Sequence, residues 1–115
     1  MKELIEIVWK NRDLLKERKY SNAVKSTLEK LNKGEIKVAE KMGSKWIVNE
    51  WIKKAVILFF PLMEMKTIEL GPFEFHDKIK LKTNYKEQGV RVVPHAIARY
   101  GSVSYTHLTL PTIAL

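Results

Sequence analysis

The sequence predicts an α+β chain in which helices pack around a β-hairpin, and three stretches predict it. Residues 35–41 alternate with one apolar face, and after a turn signal, Met42-Gly43-Ser44, the side-chain types of Trp46, Ile47 and Val48 suit a returning strand. Residues 51–59 carry an apolar stripe too wide to be left in water: Trp51, Ile52, Ala55, Val56, Leu58 and Phe59. Residues 2–18 and 22–32 each repeat apolar positions at helical spacing.

The first helix is expected over residues 2–18, with Leu4, Ile7, Val8, Asn11 and Leu15 on one face and Trp9 and Leu14 widening it. Lys16, Arg18 and Lys19 fall near its C-terminal end, the favourable side of the helix dipole. Ser21 or Asn22 is suited to cap a second helix reaching about Asn32, lined by Val24, Leu28 and Leu31, with Gly34 as the C-terminal cap. A strand over 35–41 with one buried face then turns into a returning strand at Trp46, Ile47 and Val48. Asn49 offers an N-cap oxygen to the third helix, Glu50 sits in its first turn, and Pro61 ends it. Beyond Pro61, Leu62, Met63 and Met65 alternate with Glu64 and Lys66 as a short strand would. Gly71-Pro72 is a turn, residues 73–79 read as extended, and Thr83-Asn84-Tyr85 is a polar loop flanked by Lys80, Lys82 and Lys86. Residues 90–94, after Gly89, form a β-type run that Pro94 marks as an edge or an end.

At 115 residues the chain is at most one domain with a modest core. It has no Cys, which excludes a disulfide framework and thiolate metal ligation and fits a reducing compartment. The N-terminus interrupts its apolar segment with Glu3 and Glu6, unlike a signal peptide, and no apolar run is long enough to span a bilayer. A cytoplasmic location without membrane contact is the expectation. The net charge of +8 comes from 21 basic and 13 acidic residues whose signs interleave, as on a solvated lysine-rich surface. Two other classes of reading stay open: a stand-alone basic helical module binding nucleic acid or a protein partner, and a structural adaptor. No aromatic-interleaved basic stripe supports nucleic acid.

Side chains that could carry chemistry are few. His76, His95 and His107 form no metal-ligand spacing and read as loop or surface residues. Glu64, Glu69, Glu74 and Asp77 make no recognisable acid–base pair, and no phosphate loop or nucleophile elbow is present. Trp46 and Trp51 read as core, and Lys53 and Lys54 as solvent-facing helix residues. Arg91 read on its own is an exposed strand arginine; Arg99 is mainly structural.

Several motifs in register give a sharper reading. The pattern VAEK…G.KW.VN.W.KKAV.L.F over residues 38–59, the VWKNRDLL run near the start, GPFEFHDKIKLKTNY over 71–85 and KEQGVRVVPHAIARYG over 86–101 all occur in order. Together they resemble the tetrahydrodipicolinate N-succinyltransferase family, with His95 standing where a small residue or proline is expected after RVVP. The resemblance covers residues 1–101. It implies an N-terminal α+β domain at 1–88, then a segment at 89–101 leading into a left-handed parallel β-helix before which the chain is truncated. Residues 102–115 lack any Asp, Glu, Lys or Arg and sustain no hexapeptide repeat, so they read as an artefactual tail.

The resemblance further implies an acyltransferase of lysine and diaminopimelate biosynthesis that moves succinyl from succinyl-CoA, its co-substrate, to tetrahydrodipicolinate, with no tightly bound cofactor. The family works as a homotrimer whose CoA tunnel and catalytic groups lie on the β-helix. This fragment is then expected to be inactive and monomeric, with no catalytic, cofactor or metal residue of its own. Arg91, matching the arginine of the family's RVVP motif, would bind a substrate carboxylate through its planar guanidinium.

Overall fold

In the computed structural model, residues 1–103 are described. They form an α+β fold: four α-helices, α1 (Lys2–Lys10), α2 (Arg18–Lys33), α3 (Glu50–Phe59) and α4 (Tyr85–Gln88), and two antiparallel hairpins. The first hairpin joins β1 (Ala39–Met42) to β2 (Lys45–Val48), and the second joins β3 (Lys66–Leu70) to β4 (Phe73–Asp77). The expected tail, from residue 104 on, and His107 lie outside the described residues.

The core is where α3 meets α1 and α2. Ile5 and Val8 from α1, Val24, Leu28 and Leu31 from α2, and Ile52, Ala55 and Leu58 from α3 are buried together. Thr27 is the one buried polar residue among those described, and its hydroxyl donates to the Ala23 carbonyl one turn back at 2.8 Å, so no donor is stranded. Lys54 is not solvent-facing as expected: its Nζ lies 2.9 Å from a Glu6 carboxylate oxygen and ties α3 to α1 beside the Trp9 ring.

The first helix is shorter than expected. It stops at Lys10, and Asn11 is extended at φ −141°, ψ 91°. Four residues beyond buried Val8 stands Arg12, so an unbroken helix would carry that guanidinium onto the core face. The break releases it onto the Trp9 ring, 4.8 Å from the centroid, and a 3₁₀ turn over Arg12–Lys16 brings Leu14 and Leu15 back against the core. The buried face is also rotated: Ile5 is buried, whereas Ile7 is 45% exposed. Helix α2 begins at Arg18 rather than after Ser21, and the Ser21 hydroxyl instead donates to the Arg18 carbonyl. Its other end is as expected. Gly34 takes φ +78°, and the amides of Gly34 and Glu35 close onto Leu31 and Lys30.

The first hairpin is shorter and wetter than its pattern suggests. Ile36 and Val38 are half-buried but precede the ladder, and Trp46 is 64% exposed, with Ile47 and Val48 also exposed. Only its base touches the core: Ile36 and Val38 pack against it on either side of exposed Lys37, whereas the paired residues beyond them are largely exposed. The pairing Met42↔Lys45 makes the turn a two-residue one. Asn49 stands at the N-cap position of α3 without giving a side-chain cap. Its amide donates to the Lys37 carbonyl at 2.7 Å and to Glu40 at 3.1 Å, anchoring the hairpin rather than the helix.

Helix α3 ends ahead of Pro61 as expected, and Phe60–Leu62 forms a 3₁₀ turn. The strand expected at 62–66 lies later, at Lys66–Leu70, because its partner β4 is fixed by the Gly71-Pro72 turn and the pair Leu70↔Phe73. The β-type run at 90–94 acquires no strand partner among the described residues. Residues 98–100 pair instead with 80–82: the Lys82 amide donates to Ala98 and the Tyr100 amide to Lys80, each at 2.8 Å. Ile79 is buried beneath that pairing, and the Tyr100 ring lies 6.0 Å from that of Phe59. Gly101 follows at φ +85°, and a Cβ there would meet the Leu28 side chain at 3.1 Å. Only glycine suits this approach of the returning chain to α2.

Candidate functional site

The returning chain creates the site. Residues 83–97 form a loop whose neck is the pairing of 80–82 with 98–100. Asn32, in the last turn of α2, locks the neck: its side-chain oxygen accepts from Lys82 Nζ at 2.7 Å and from the Gly101 amide at 2.9 Å. The Asn32 carbonyl accepts a further bond from Lys82 Nζ at 3.2 Å. Within the loop, Asn84 at φ +64° starts the single turn of α4, whose end is followed by the run Val90-Arg91-Val92-Val93.

Between the end of α2 and this loop lies an open groove of about 1080 Å³. Arg91, Lys82 and Lys33 line it among apolar side chains that include Val90, Val92 and Ile97. No Asp or Glu is among its lining residues. Arg91 is exposed, and none of the ion pairs or side-chain hydrogen bonds found among the described residues involves it. A guanidinium with five free donors on an acid-free wall is suited to take a carboxylate in fork geometry.

The other sequence candidates fall elsewhere. Arg99 pairs with Asp77 at 2.9 Å and lies over the Phe60 ring, tying the second hairpin to the returning chain. His76 Nδ1 is 2.9 Å from the Thr67 hydroxyl across that hairpin, and His95 sits in the exposed loop at φ +78° near Phe73. Trp51 packs against the core but Trp46 does not. Sequence reasoning missed Lys82, which it placed beside a polar loop. The alternation of Ile79 and Leu81 with Lys80 and Lys82 is the signal of the short paired segment that holds it.

Partial burial pushes the Lys82 ammonium below the ordinary lysine range. Burial, and then the Glu29 carboxylate, pushes the Tyr100 phenol above its ordinary range, although nearby Lys33 opposes the shift. A raised phenol keeps its stabilising effect below the unfolded pKa of about 10 and loses it as pH rises through the folded value. In an alkaline absorbance titration at tyrosinate wavelengths, Tyr100→Phe is therefore expected to remove a component from the late part of the curve. An unchanged late component in the variant would assign it to another tyrosine.

Comparison with known proteins gives the family of the chain. The family profile described as tetrahydrodipicolinate N-succinyltransferase N-terminal matches residues 1–62. The 2,3,4,5-tetrahydropyridine-2,6-dicarboxylate N-succinyltransferase of Coxiella burnetii is 40% identical over 110 residues, covering 89% of this chain and 41% of the relative. Its namesake in Pseudoalteromonas translucida is 39% identical over 112 residues, with the same two shares. That of Acinetobacter baylyi is 45% identical over 94 residues, 76% of this chain and 34% of the relative. The chain thus spans about two fifths of the length of the relatives it matches. With the profile covering more than half of its residues, the chain belongs to the tetrahydrodipicolinate N-succinyltransferase N-terminal family.

Proposed function

We propose that residues 1–101 serve as the N-terminal part of an acyltransferase that transfers succinyl from succinyl-CoA to tetrahydrodipicolinate in lysine and diaminopimelate biosynthesis. The observation that carries this reading to a residue is Arg91, exposed and without an acidic partner among the described residues, on the wall of an acid-free groove. In the proposed reaction the cyclic substrate is hydrated and opened to an amine. The deprotonated nitrogen attacks the thioester carbonyl, the carbon–sulfur bond breaks, and CoA leaves as its thiolate. The step needs a base for the amine proton and donors for the developing oxyanion. On this reading both, with the CoA tunnel, would lie on a trimeric β-helix entered through residues 89–101. Arg91 would then hold a substrate carboxylate and orient the amine.

A stand-alone nucleic-acid module draws no support from the surface. Lys33, Lys53, Lys54 and Arg99, on separate elements, each face a carboxylate within ion-pair distance, so these cations are interleaved with acids rather than gathered into one stripe. Among the described residues no helix is long and apolar enough to cross a membrane.

The 115-residue chain alone is expected to release no CoA from succinyl-CoA in the presence of tetrahydrodipicolinate, followed by thiol release. It is expected to run as a monomer in sedimentation. Turnover above the uncatalysed rate would place the base and oxyanion donors within this chain and overturn the assignment of roles.

A further inference from the structure

The groove beside Arg91 holds a second cation in an unusual state. Lys82 Nζ has three donors, and two are directed at neutral oxygens of Asn32, at 2.7 and 3.2 Å. No carboxylate lies within ion-pair distance of it among the described residues. Lys33, the third cation of the groove, is already matched by Glu29 at 3.3 Å. The Lys82 side chain is partly buried, its backbone is fixed by pairing with Ala98, and its head is held against the end of α2. An ammonium held in place, partly desolvated and facing only neutral oxygens is suited to be completed by an anion. The depressed pKa expresses that same desolvation.

We propose that Lys82 is a second carboxylate contact, so that the groove takes a dicarboxylate with one end on Arg91 and the other on the ammonium held by Asn32. This rests on the reading of Arg91 given above and extends it: the pair selects dicarboxylates over monocarboxylates. Arg91 supplies fork geometry from the exposed loop, whereas Lys82 supplies a fixed point charge from the rigid neck. The apolar side chains of Val90, Val92 and Ile97 suit the hydrocarbon between the two ends. Asn32 then acts as a positioning residue, since it touches the ammonium and not the ligand.

The test is binding of pimelate, a seven-carbon dicarboxylate, and of heptanoate, its monocarboxylate counterpart, to the 115-residue chain by calorimetry or NMR titration. The unmodified chain is expected to prefer pimelate. Lys82→Gln, which retains a hydrogen-bond donor but no charge, is expected to weaken pimelate by about tenfold and leave heptanoate nearly unchanged. Lys82→Arg is expected to retain the preference. Arg91→Gln is expected to weaken both ligands. If Lys82→Gln keeps the full preference for pimelate, or if the unmodified chain shows none, the proposal falls. If Arg91→Gln changes neither ligand while Lys82→Gln still loses pimelate, Lys82 stands and the reading of Arg91 falls. Should Lys82→Gln fail to fold, the side-chain methylene resonances of Lys82 in the unmodified chain decide: they are expected to move with pimelate while those of Lys53 stay, and unmoved Lys82 resonances overturn the proposal.

Discussion

Arg91→Ala, introduced into a chimera of residues 1–101 with the remaining length of the Coxiella burnetii relative, is expected to raise KM for tetrahydrodipicolinate about 30- to 100-fold. The KM for succinyl-CoA should stay within about twofold. The magnitude follows from a charge-assisted, two-bond contact worth roughly 2–3 kcal/mol, at 1.4 kcal/mol per tenfold. The partition between the two substrates follows from position. Arg91 lies on a groove of this chain, whereas on the proposed reading the CoA tunnel would lie outside it. If the carboxylate is held equally in ground and transition states, kcat stays near its starting value; if the clamp also orients the amine, kcat falls as well. Arg91→Lys separates charge from geometry, because lysine supplies a point charge without the planar fork. It should recover only part of the lost affinity. Unchanged kinetics for tetrahydrodipicolinate in Arg91→Ala would remove Arg91 from the site, and an effect confined to succinyl-CoA would move it to the other substrate.

The sequence reveals most where side chains repeat against a rigid partner. The stripe of α3 is legible because Ile52, Ala55, Leu58 and Phe59 meet two helices at once, so spacing and burial coincide. Gly34 is legible because a helix end needs a left-handed residue and glycine adopts that conformation without strain. The break at Asn11 is not, since each residue of 2–18 suits a helix locally and only the core face forbids Arg12 from following Val8. The first hairpin misleads in the opposite way: side-chain type correctly suits Trp46, Ile47 and Val48 to a strand, but all three are exposed, so strand propensity there does not report burial. At the candidate site, Arg91 is singled out by a motif, whereas Lys82 depends on contacts between residues far apart in sequence. Asn32, Ala98 and Gly101 meet only after the chain returns across α2, and no local pattern encodes that meeting.

The contrast between α3 and the hairpin yields the largest expected effect on stability. Leu58→Ala is expected to lower the unfolding free energy by about 3–4 kcal/mol, read as a lower urea midpoint with an unchanged slope. Leu58 is fully buried where α3 faces both other long helices, and its removal leaves a cavity that α1 and α2 cannot both close, because Lys54 and Glu6 hold α1 in place. Against the roughly 5–10 kcal/mol typical of a small domain, that loss is a large fraction of the total. Trp46→Ala removes a bigger side chain yet is expected to cost less than about 0.5 kcal/mol, because the indole is already mostly in water. A reading of Trp46 as core predicts the reverse order, with the tryptophan the costlier loss at about 3–5 kcal/mol. Urea melts of the two variants therefore separate the two arrangements by several kcal/mol. If Trp46→Ala proves as damaging as Leu58→Ala, the hairpin must fold back over the helices in solution.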